Sequence, residues 1–155
     1  MDDVRAPAGR ESIPLVLWVI ALLALSPFPI AALIYSYGPA ARMAPALSAL
    51  LEWSAVVLSF LGGVRWGLET REPSPRPMRQ VFSAMCAVAG WVILMARGST
   101  PDTWVIAGFM AAFLIQWLFD HQTPDTPSRY PMLSTAVTSG ACVSLALCLE
   151  KAMHA

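Results

Sequence analysis

Charge is what this sequence most lacks: Lys, Arg, Asp and Glu make up 13% of its 155 residues, about half the share usual in a soluble domain. Against an apolar share of 57%, this leaves too little polar surface to meet water on every side. The formal net charge is zero, so long-range attraction to nucleic acid is not a basis for function. The three cysteines, Cys86, Cys142 and Cys148, all lie in apolar segments. Their spacing matches neither a disulfide framework nor a zinc site, and they read as small packing residues. His121 and His154 lack a second ligand at helical spacing, so neither metal nor haem binding is expected. No nucleophile with its base, glycine-rich phosphate loop or paired membrane carboxylates can be found. The expectation is a protein that is not an enzyme and holds no cofactor.

What the sequence does have is long apolar runs, at roughly 14–37, 47–69, 80–96, 103–120 and 131–149. Each approaches the ~20 residues that cross the hydrocarbon core as a helix, and in lipid each must be helical, because backbone groups find partners only within their own helix. The fold class expected is an all-α membrane protein of five transmembrane helices forming one domain over 1–155. Ser26-Pro27-Phe28-Pro29 removes two backbone donors from the middle of the first run and should kink or break it. That run is too long for a signal-peptide core, and acidic Asp2, Asp3 and Glu11 accompany Arg5 and Arg10, so it reads as a retained span rather than a leader.

Lys and Arg accumulate in cytoplasmic loops. Arg5, Arg10, Arg71, Arg76, Arg79 and Arg129 share one side on this topology, against Arg42, Arg97 and Lys151 on the other. The N-terminus is therefore expected inside and the C-terminus outside. Trp and Tyr favour the headgroup level. The same topology places Trp18, Trp66, Trp117 and Tyr130 near the inner face and Tyr35, Tyr37, Trp53, Trp91 and Trp104 near the outer.

The second run carries two kinds of signal. Ser59, Gly63 and Gly67 recur every fourth residue with Gly62 and Trp66 beside them, a small-residue face on which another backbone can approach closely. Val57, Leu61, Val64 and Leu68 form the opposite stripe, suited to lipid or a partner. Arg65 stands at the edge of the glycine face with Glu69 one turn on, while Gln116 and Asp120 are likewise four apart in the fourth run. With both runs parallel, Arg65 and Asp120 reach similar depth. A charge there is expensive and normally faces the bundle interior. Arg65, Glu69, Gln116 and Asp120 form the candidate polar cluster. It can serve as a clamp through Arg65–Asp120 or Arg65–Glu69, as a snorkelling side chain, or as a site for an anion or anionic lipid. Glu52 reads as a solvated charge near the outer end, within reach of Arg42 in the first loop.

Shifting the sequence by about 51 residues aligns Trp53 with Trp104, Arg65-Trp66 with Gln116-Trp117, Glu69 with Asp120, Pro73 with Pro124 and Ser83 with Ser134. The match suggests a duplicated helical hairpin, spans two and three against spans four and five.

At Ser59-Phe60-Leu61-Gly62-Gly63-Val64-Arg65-Trp66-Gly67 the sequence resembles a domain-of-unknown-function family that includes the mitochondrial transmembrane protein 69. Gln116-Trp117-Leu118-Phe119-Asp120 is similar to that family's second signature, and Ser26-Pro27-Phe28-Pro29 to its proline-containing first span. The resemblance covers most of the chain and implies a bacterial or mitochondrial inner-membrane setting, with Arg65 and its glycines as characteristic positions; it brings no activity with it. The leading expectation is a non-enzymatic accessory, assembly or scaffold protein of an energy-converting membrane, bacterial inner membrane by preference. Its partners would be the bilayer and a larger complex or further copies of itself. The alternative is a binder or carrier of a small anion or anionic lipid through Arg65, Gln116 and Asp120.

Overall fold

The computed structural model describes residues 15–122 and 130–154 and is all-helical there. Its helices are α1 (Leu15–Leu25), α2 (Pro27–Tyr37), α3 (Ala40–Glu69), α4 (Pro77–Ala96), α5 (Asp102–His121) and α6 (Tyr130–Met153). With α1 and α2 taken as one run, five helices are long and apolar enough to cross a membrane. The chain is a multi-pass membrane protein by this measure, and each expected run finds its helix. Arg5, Arg10 and Arg129, which carry half of the inner-side charge count, and Pro124 of the 51-residue match lie outside the described residues.

The first span breaks where its prolines stand, and the break is repaired locally. Pro27 has no N–H for the Leu23 carbonyl, and the Ser26 hydroxyl donates to that oxygen instead at 3.0 Å. The neighbouring Ala24 carbonyl accepts from Trp53 Nε1 at 2.8 Å, so α3 clasps the kink. Toward the start of α3, Ser48 Oγ accepts from Nη1 of Arg97, the residue that follows α4, at 2.8 Å.

α3 starts earlier than its apolar run, because Arg42 and Pro45 do not interrupt the helix. Arg42 and Glu52 are therefore two exposed residues of one helix, ten residues and about 15 Å apart along it. They form no ion pair with each other. At this end Arg97 instead faces Asp102, Nε to Oδ1 at 3.7 Å, tying α4 to α5. Asp102 opens α5, where the helix dipole favours a negative charge.

The core is filled by Phe28 of α2, Leu47, Leu50, Leu51 and Leu58 of α3, Ile106, Phe109 and Phe113 of α5, and Leu145 of α6. Phe28 meets Phe113 edge to face at 6.0 Å. Large apolar side chains such as Leu22, Leu23, Trp91, Trp104 and Val143 point outward, as expected where the solvent is hydrocarbon.

The facing of α3 is the reverse of the expected one. Val57 and Leu61 are buried and Val64 and Leu68 half-buried, whereas Gly63 and Gly67 are exposed and Ser59, half-buried, turns its hydroxyl back to the Ala55 carbonyl. The reason is angular. Residues two apart in a helix lie on opposed sides, so burying Arg65 turns Gly63 and Gly67 outward. Of the three glycines assigned to packing, only Gly62 makes a close approach. A Cβ there would lie 2.5 Å from the Ser83 carbonyl oxygen and 2.8 Å from Cys86 Cβ, whereas no described residue comes within 4 Å of one at Gly63 or Gly67.

These positions separate by mutation. Gly62→Ala should cost about 1–3 kcal/mol through overpacking against α4. Gly63→Ala should be neutral or add up to about 1 kcal/mol of helix propensity. Thermal unfolding of each variant in detergent checks the contrast, and equal destabilisation by the two would contradict the assigned facing.

Candidate polar cluster within the bundle

Three of the four expected cluster residues come together directly. Asp120 is 1% exposed and Gln116 0%. Four apart on α5, they share a face, and Gln116 Nε2 donates to Asp120 Oδ1 at 3.2 Å. From α3, Arg65 Nη1 lies 3.5 Å from the same oxygen, with the Arg65 side chain 2% exposed. Arg65 therefore neither snorkels nor pairs with Glu69. Its guanidinium lies 5.3 Å from the centre of the Phe119 ring, within cation–π range, and that ring stacks on Phe82 of α4 at 3.9 Å.

Two further residues complete the network. Ser134 of α6 donates its hydroxyl to Asp120 Oδ2 at 2.8 Å, and Cys86 of α4 donates Sγ–H to Gln116 Oε1 at 2.8 Å. The connected side chains thus come from α3, α4, α5 and α6. A buried carboxylate needs donors at both oxygens to offset its desolvation, and Asp120 has them. Cys86 was expected to be a packing residue, and Ser134 stood out only as a mate of Ser83 in the 51-residue match. Neither carries a local signal of partnership, because hydroxyl and thiol groups in helices ordinarily bond to their own backbone. Ser83 does so, donating to the Arg79 carbonyl at 2.9 Å.

Glu69, the fourth expected member, forms a separate station one turn away. Its Oε1 accepts from the Arg76 backbone N–H at 2.8 Å and its Oε2 lies 3.5 Å from Arg79 Nη1. It fastens the α3–α4 turn to the start of α4. Among the described residues no group of three or more His, Cys, Asp and Glu is placed to hold a metal ion.

The chemistry of this arrangement is cohesion between helices. Arg65→Leu leaves Asp120 buried beside neutral donors only, and a loss of about 3–5 kcal/mol is expected. The double variant Arg65→Leu/Asp120→Asn should recover at least half of it, read as folded yield and unfolding temperature in detergent. Failure of the second change to restore anything would show that the two residues do not act as a pair.

Comparison with known proteins adds membership without activity. No curated protein matches the chain, and no solved structure does. The model of the family described as protein of unknown function, DUF3429, matches residues 13–150, a span that holds all five runs and the polar cluster, and the chain belongs to that family.

Proposed function

We propose that this protein is a non-enzymatic accessory, assembly or scaffold component of a larger complex in an energy-converting inner membrane, bacterial by preference. The observation that carries the reading is the outward side of α3. A Cβ placed on Gly63 or Gly67 would meet no described residue within 4 Å, so two residues costing about 1 kcal/mol each relative to Ala in a helix serve no contact among the described helices. Glu52 is exposed on the same side, where its carboxylate is open to a donor on a neighbouring helix. Small residues and a carboxylate on one lateral face suit a neighbouring transmembrane helix.

In this reading the N-terminus is cytoplasmic and the C-terminus periplasmic, following the arginine bias. Spans two and three are a copy of spans four and five. What supports the copy is that the matched pairs Arg65 and Gln116, Glu69 and Asp120, and Ser83 and Ser134 are buried in both hairpins. Superposing the hairpins on these residues should bring their helices together at one crossing angle.

Extraction in mild detergent tests the accessory role. The wild-type chain should copurify with a defined membrane partner, and Gly63→Leu/Gly67→Leu should lose that partner while the purified chain unfolds at an unchanged temperature. A wild-type chain recovered only as a lone monomer would count decisively against the reading.

A further inference from the structure

Arg65 holds more hydrogen-bond donors than the bundle uses. Among the described residues neither Nη1 nor Nη2 has a hydrogen-bond partner, although the side chain is 2% exposed. The nearest carboxylate, Asp120, accepts from Gln116 through one oxygen and from Ser134 through the other, and at 3.5 Å it balances the charge of Arg65 without accepting a hydrogen bond from it. The Phe119 ring at 5.3 Å compensates charge in the same partial way. Buried donors without acceptors cost about 1–3 kcal/mol each, and more when charged. What this guanidinium lacks is a set of oxygen acceptors matched to its planar fork.

The surroundings favour an anionic source for those oxygens. Arg65, Arg71, Arg76 and Arg79 lie close in sequence across the α3–α4 turn, among Glu69 and Glu72. Arg71 and Arg76 are exposed at the turn. Arg65 is one helical turn from Glu69, the last residue of α3, or about 6 Å along the axis, so a group at headgroup level is within a side chain's reach. We propose that the Nη edge of Arg65 is a binding site for a phosphate-type oxyanion entering past the α3–α4 turn, supplied by a lipid headgroup or by free phosphate. The site goes beyond the accessory role and does not depend on any protein partner.

The full chain in uncharged maltoside micelles can be titrated with short-chain phosphatidylglycerol, short-chain phosphatidylcholine and inorganic phosphate, with binding read by native mass spectrometry and tryptophan fluorescence. Phosphatidylglycerol should bind at least about tenfold more tightly than phosphatidylcholine. Arg65→Lys, which keeps the charge but loses the fork, should remove about tenfold of that affinity, in line with loss of charge-assisted hydrogen bonds. Arg71→Gln/Arg76→Gln, confined to exposed positions, should retain most of it. Competition by inorganic phosphate at equal affinity assigns the free ion as ligand, and its failure to compete assigns the lipid. Equal binding of the two lipids with no binding of phosphate overturns the site. So does loss of binding in Arg71→Gln/Arg76→Gln, which decides the matter even where Arg65→Lys does not fold, and so does full retention in a folded Arg65→Lys.

Discussion

The carboxylate of Asp120 is the group around which the rest of this bundle is arranged. An ion of that size, 1% exposed in a helix surrounded by lipid, persists only if donors reach both oxygens. Ser134 and Gln116 supply them and Arg65 supplies the opposite charge. Meeting this demand fixes the rotation of α3, the depth of α6 against α5, and through Gln116 and Cys86 the approach of α4. Apolar packing in a membrane gains little from excluding lipid, which is as apolar as the side chains themselves. Directional polar contacts therefore carry an unusual share of the specificity here.

The same logic recurs at each level of the membrane. At one end Arg97 joins Ser48 and Asp102, binding α3, α4 and α5. At the other, Glu69 holds the Arg76 backbone and Arg79. Between them Trp53 satisfies a carbonyl beside the proline break of the first span. Each station uses a polar group that would be costly in lipid to join elements that are otherwise smooth and apolar. Such contacts locate helices relative to one another.

Arg65 is where cohesion and ligand binding meet. A clamp needs charge balance, which Asp120 provides, whereas the Nη donors need acceptors, which the described helices do not supply. The lateral face of α3 bears the other surplus, with Gly63, Gly67 and Glu52 turned away from the described helices. Both surpluses belong to one helix and follow from a single rotation, since turning Arg65 inward is what turned the two glycines outward.

By itself the sequence determined the number of spans, the break at Ser26-Pro27, and the likeness of depth between Arg65 and Asp120. Run length, proline chemistry and the four-residue repeat are local properties that need no knowledge of neighbours. It also marked Gln116 and Asp120 as a pair on one face. Only the tertiary structure decided which side of α3 is inside. A helical wheel orders residues around an axis but carries no information about where the other helices stand, and two mutually exclusive faces, one small and one charged, competed for the interior. The cost of exposing Arg65 to lipid settled that competition. Ser134, Cys86 and the clasp from Trp53 to Ala24 were likewise invisible beforehand, because a hydroxyl, a thiol or an indole acquires a long-range role only when packing brings an unsatisfied acceptor within 3 Å of it.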